Sequence, residues 1–215
     1  IGNNGLTIED LASVWQAIAK EFSTFKNIYG YGLMNEPHDL APETKWFDMA
    51  QASINAIREV DTNTLIMVGG NDWSSAERWI EQSDTLKFLK DPANNLAFEA
   101  HVYFDKDASG TYKYSYEEEE CYPEKGIDRV KPFVEWIKQN KFHGFIGEYG
   151  IPDNDPRWNE TLDLFLGYLQ ENGINGTYWA AGPWWDTYFM AITPKDGKDR
   201  PQMPIIEKYT STLKK

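Results

Sequence analysis

"GYGLMNEPHDL", residues 30–40, carries a short apolar run into Asn35-Glu36-Pro37. The wider stretch 27–34, NIYGYGLM, has the small and apolar character of a short buried strand. A carboxylate then appears, with an amide before it and a proline after it. Proline has no N–H for a ladder and fixes its own φ, so the strand should stop there and the chain turn outward. Glu36 is thereby expected at the end of a buried strand.

Similar units recur along the chain. Thr7 and Asp10 have capping-box spacing ahead of a helical stripe of Leu11, Val14, Trp15, Ile18 and Phe22. Pro42 is predicted to open a second helix, with Phe47, Ala50, Ile54 and Ile57 on one face. Further strands are predicted at 64–70 (TLIMVGG), 95–104 (NLAFEAHVYF), 143–150 (HGFIGEYG) and 174–182 (INGTYWAAG). Between them lie a short helix at 74–80, a helix marked by Val130, Phe133, Val134 and Ile137, and another marked by Leu162, Phe165, Leu166 and Leu169. Gly173 stops the last of these. Ile206, Tyr209 and Leu213 mark a closing helix, and the acidic run 117–120 reads as a solvated loop or helix start. Alternating β and α elements joined by crossover helices predict parallel strands and an α/β fold.

Polar residues gather late in each strand or just after it: Asn35 and Glu36, Asn71 and Asp72, His101 and Tyr103, Glu148, then Trp179 and Trp184. In parallel α/β folds that edge is where sites are built. Strand parity separates Leu96, Phe98, Ala100 and Val102 from Glu99, His101 and Tyr103. The first set should pack on helices and the second should face a barrel interior.

Composition narrows the partners. The 215 residues suffice for one domain, and 41% hydrophobic content argues against disorder. With 34 acidic against 21 basic residues, the net charge of −13 argues against nucleic acid and anionic membranes and favours a neutral ligand. Nine Trp suit a ligand with flat, partly apolar faces. Cys121 is the only cysteine, so no disulfide forms within these residues. His38 with Glu36 lacks His-Glu-x-x-His spacing, and no metal is expected; both His38 and His143 read as structural.

Glu36 and Glu148 each end a strand that is poor in charge. Two carboxyl groups facing one cleft are what glycosidic bond cleavage requires: one protonates the leaving oxygen, the other attacks the anomeric carbon or activates water. LMNEPH and IGEYG, with HVY between them and YWAAGPWW after them, resemble the cellulase-like members of glycoside hydrolase family 5. The resemblance runs from end to end of the chain. It implies a TIM (β/α)8 barrel, Glu36 as acid/base, Glu148 as nucleophile, and a retaining mechanism on β-1,4-glucan without metal or organic cofactor. It implies that Asn35 binds the sugar 2-hydroxyl, that His101 and Tyr103 form a pair with Tyr103 or its neighbour bonded to the nucleophile, and that Trp179 stacks under the sugar at the cleavage point. Asn71, Trp73 and Trp184 are further candidate sugar contacts, each with a local packing reading beside it.

Five strands are predicted where a barrel needs eight. The family pattern makes them strands four to eight, so residues 1–215 are expected to be the C-terminal part of one catalytic domain. Strands one to three would then lie on another segment or chain, a partner alongside the glucan. Mannan, xyloglucan or mixed-linkage glucan are alternative substrates, and a non-catalytic glucan-binding role is the rival reading. A polymeric substrate implies a secreted protein.

Overall fold

The computed structural model describes residues 5–41, 45–185 and 187–210. Two compact units emerge: Ile1–Ala100 with Glu135–Gly144, and His101–Val134 with Phe145–Lys215.

In the first unit, α1 (Ile8–Phe22) precedes β1 (Gly30–Gly32), α2 (Trp46–Arg58) precedes β2 (Leu65–Gly69), and a single turn α3 (Asn71–Ser74) leads to α4 (Trp79–Ser83) and then to β3 (Leu96–Tyr103). Both ladders are parallel, with Tyr31 opposite Ile66 and Val68 opposite Phe98. The predicted capping box is present: the Asp10 N–H donates to Thr7 Oγ1 at 3.1 Å, and the Thr7 N–H to Asp10 Oδ2 at 2.8 Å. Strand parity also holds. Phe98 meets Trp136 at 4.9 Å and Phe142 at 4.8 Å between ring centres, a helix-side aromatic cluster that includes buried Trp79. On the other face, a Cβ placed on Gly32 would lie 3.8 Å from Glu99 Oε2. The loop leaving α2 is locked by Arg58. Its Nε and Nη2 donate to Asp91 at 2.7 and 3.0 Å, and its Nη1 donates to the carbonyls of Asp61 and Thr64.

The second unit holds the end of β3 and the greater part of both α5 (Lys125–Asn140) and β4 (His143–Gly150), then α6 (Arg157–Glu171), β5 (Asn175–Tyr178) and α7 (Met203–Tyr209). Strands β4 and β5 are parallel, with Phe145 opposite Asn175 and a bulge between Ile146 and Tyr149. The predicted α6 face is the buried one, and Phe165 packs against Phe104 and Tyr149. Gly173 ends α6 at φ +66°, while the Ile174 N–H returns to the Leu169 carbonyl.

Several expectations change. The α2 core face is Trp46, Met49, Ala50, Ser53, Ile54 and Ile57; Phe47 is only half-buried, because Trp46 takes the inward position and its indole N–H bonds the Gly69 carbonyl at 2.7 Å. Pro42 lies outside the described residues, as does Leu213. On α1 only Ala19 is fully buried, while Val14 and Phe22 stay exposed, so the apolar stripe is half covered. The helix expected at 74–80 is displaced to Trp79–Ser83, because Asp72, Trp73 and Ser74 adopt left-handed backbone. The first and last strands are shorter than predicted. In the acidic run, Glu119 is buried and accepts from the N–H groups of Lys106 and Tyr114 at 2.8 and 2.9 Å.

Candidate active site

In the first unit the chain leaves β1 through Leu33, whose N–H still bonds the Met67 carbonyl at 3.0 Å. Asn35 is exposed, Glu36 is half-buried and Pro37 is buried, and the chain then runs out to exposed His38 and Asp39. This strand end is pinned from behind. Buried Ser74 donates from Oγ to the Asn35 carbonyl at 2.8 Å. Gly69 passes so close that a Cβ on it would sit 2.7 Å from the Met34 carbonyl oxygen. A glycine is required there because any side chain would displace the Asn35–Glu36 backbone.

Trp73 lies flat on His38, with ring centres 4.5 Å apart and 13° between planes, and is 43% exposed. Both border a cavity of about 490 Å³ that also touches Trp46 and Asn71. The Asn71 amide donates to the Gln82 carbonyl at 2.8 Å, and its backbone N–H donates to Ser83 Oγ at 2.9 Å. Asn71 therefore closes the local turn. Glu36 borders a smaller cavity of about 200 Å³ with Met34, His38 and Met49.

In the second unit the structure brings His101, Tyr103 and Glu148 together. The Tyr103 hydroxyl donates to Glu148 Oε2 at 2.7 Å, and His101 Nδ1 is 3.8 Å from the same oxygen. Both β3 residues are buried. Burial, then the Glu148 charge and the hydrogen bond to it, push the Tyr103 phenol far above its ordinary range. Tyr103 is consequently a permanent donor, and Glu148 is held as an acceptor at a fixed angle.

Trp179 directly follows β5. Its N–H donates to the Tyr149 carbonyl at 2.8 Å, and its peptide bond to Ala180 is cis. Its ring meets Trp185 at 4.9 Å, and Trp185 meets Tyr188 at 5.0 Å. Trp184, by contrast, is 90% exposed and stands off this cluster. Sequence reasoning missed Tyr188, whose phenol is raised first by burial and further by the Glu148 charge. The aromatic density of PWWDTYF was the available signal. It also missed Ser74, which nothing in the sequence distinguishes from Ser75.

The model of the family described as Cellulase (glycosyl hydrolase family 5) matches residues 1–184. Endo-beta-1,4-glucanase B of Emericella nidulans is 36% identical over 193 residues, covering 87% of this chain and 56% of that protein. The Pseudomonas stutzeri endoglucanase Cel5A, solved in complex with cellobiose, is 43% identical with a TM-score of 0.90, covering 97% of this chain and 62% of that one. XacCel5A, solved with cellopentaose, is 38% identical with a TM-score of 0.87, covering 98% and 68%. The chain thus spans a little over half the length of the curated relatives it matches. Its parallel strands and crossover helices are part of a TIM (β/α)8 barrel, and the chain belongs to glycosyl hydrolase family 5.

Proposed function

We propose that the protein carrying this chain is a retaining endo-β-1,4-glucanase, with Glu148 as nucleophile and Glu36 as acid/base. The observation that carries the reading is the 2.7 Å bond from buried Tyr103 to Glu148, which aims a strand-end carboxylate and leaves its second oxygen for attack. In the first step a Glu148 oxygen bonds the anomeric carbon as the glycosidic C–O bond breaks, and Glu36 gives its proton to the departing oxygen. In the second, Glu36 takes a proton from water, the water oxygen bonds the anomeric carbon, and the Glu148 ester is released. Two inversions give net retention, which requires carboxyl groups about 5–5.5 Å apart. Asn35 would hold the 2-hydroxyl, and Trp179, with Trp185 and Tyr188 behind it, would carry the sugar face.

Glucan is favoured over mannan or xyloglucan because the named relatives are β-1,4-glucanases and two solved neighbours hold cello-oligosaccharides. Secretion follows from a polymeric substrate. The test uses the full-length protein and an aryl β-cellobioside with a good leaving group. Glu148→Ala should lose hydrolysis and, with azide, form the α-glycosyl azide. Glu36→Ala with azide should form the β-anomer. Unchanged hydrolysis in Glu148→Ala, or the two anomers exchanged, would refute the assignment.

A further inference from the structure

We infer that Tyr112 is a positioning residue for the nucleophile, the keystone of a brace formed by the loop after β3. The inference rests on the reading of Glu148 as nucleophile. Tyr112 is buried. Its hydroxyl accepts from the Phe104 N–H at 2.9 Å and donates to the Gly150 carbonyl at 2.6 Å. Phe104 directly follows Tyr103, and Gly150 lies two residues after Glu148. One phenol oxygen thus ties the backbones beside the two partners of the Tyr103–Glu148 bond. Gly150 is itself pressed against the strand beyond, since a Cβ on it would overlap the Trp179 carbonyl. The tie therefore reaches the backbone of the proposed sugar platform.

The loop is built to hold that oxygen in place. The buried Asp105 carboxylate accepts from the N–H groups of Gly110, Thr111 and Tyr112 at 3.0–3.2 Å and from Ser109 Oγ at 3.1 Å. This gathers the chain into a tight arch with left-handed backbone at Ala108, Gly110 and Tyr112. At the crown, Gly110 rests on the Tyr103 ring: a Cβ there would lie 2.9 Å from the nearest ring carbon. Tyr112 meets the same ring edge-on at 6.5 Å and packs on Trp158 at 4.9 Å. Burial pushes the Tyr112 phenol well above its ordinary range, so it keeps its proton and the donor role at any assay pH. The arch reaches Glu148 through the Tyr103 ring and the Gly150 backbone. Its effect is to fix where the Tyr103 hydroxyl and the Glu148 carboxylate meet.

The test follows glycosyl-enzyme formation in the full-length protein with 2,4-dinitrophenyl 2-deoxy-2-fluoro-β-cellobioside, alongside steady-state kinetics. In Tyr112→Phe, kcat and the trapping rate should both fall about 10- to 100-fold, with KM within about twofold, as expected for a misplaced reacting group. Tyr116→Phe serves as the control. Tyr116 lies on the same loop, but its hydroxyl contacts Thr161 of α6 and the Cys121 thiol rather than the brace, so this variant should match the parent. Should Tyr112→Phe not fold, Gly110→Ala tests the same brace from the Tyr103 side and should show the same split. Parent-like trapping by folded Tyr112→Phe would overturn the proposal, as would a smaller trapped fraction with an unchanged rate. A parent enzyme that is never trapped would instead overturn the reading of Glu148, which separates the two failures.

Discussion

Gly69→Ala is the substitution that most directly tests how the Asn35–Glu36 end of β1 is held. The added methyl would meet the Met34 carbonyl oxygen at 2.7 Å, Ser74 Oγ at 2.9 Å and the Asn35 carbonyl oxygen at 3.3 Å. Carbon–oxygen contacts settle near 3.3–3.6 Å, so roughly 0.6 Å of movement is demanded. Gly69 cannot supply it by retreating, because its carbonyl is held at 2.7 Å by the Trp46 indole and its strand is laddered to β1 and β3. Asn35 and Ser74 must therefore part, which breaks their 2.8 Å bond. Overpacking costs about 1–3 kcal/mol and the lost bond about 1 kcal/mol. The stiffer unfolded chain returns about 0.4–1 kcal/mol. Net destabilisation of about 1–3.5 kcal/mol is expected in urea melts of the full-length protein, a large share of the 5–15 kcal/mol typical of a domain. Because Glu36 is bonded to the displaced residue, kcat on cellopentaose should also fall about 10- to 100-fold. Gly32→Ala is the control, since its Cβ would meet only Glu99 Oε2 at an ordinary 3.8 Å; it should stay within about 0.5 kcal/mol. If Gly69→Ala matched Gly32→Ala in both stability and kcat, the backbone-contact reasoning would be wrong.

Two further outcomes follow from particular groups. Asp61 is buried, which alone would raise its carboxyl, yet hydrogen bonds from Thr64, Asn63 and Tyr31 outweigh this and bring it from 3.8 to about 2. A depressed folded value means the stabilisation, about 2 kcal/mol, is complete above pH 4 and is lost as pH falls through 2; acid melts of Asp61→Asn should lack that slope, and an identical slope would refute it. Trp73→Ala removes the half-exposed ring stacked on His38 and should raise KM for cello-oligosaccharides about 3- to 10-fold at constant kcat. An unchanged KM would mark Trp73 as rim packing.

The sequence by itself determined the alternation of parallel strands and helices, because burial on both faces writes continuous apolar runs and crossover helices write a 3.6-residue stripe. It also marked Glu36 and Glu148, since a charge ending an apolar run is conspicuous without any neighbour in view. Parity alone put His101 and Tyr103 on one face of β3, as the structure has them. What depended on tertiary structure is everything decided by contacts distant along the chain. Trp46 displaces Phe47 from the core because an indole N–H finds a carbonyl 23 residues away. Glu119 leaves a solvated run because two backbone N–H groups bind it. Ser74 and Tyr112 look like any loop hydroxyls until folding sets one beside the Asn35 carbonyl and the other between Phe104 and Gly150. Periodicity records which face of an element is buried, whereas hydrogen-bond partners between segments are chosen only when the backbone brings them within 3 Å, and local sequence holds no trace of that choice.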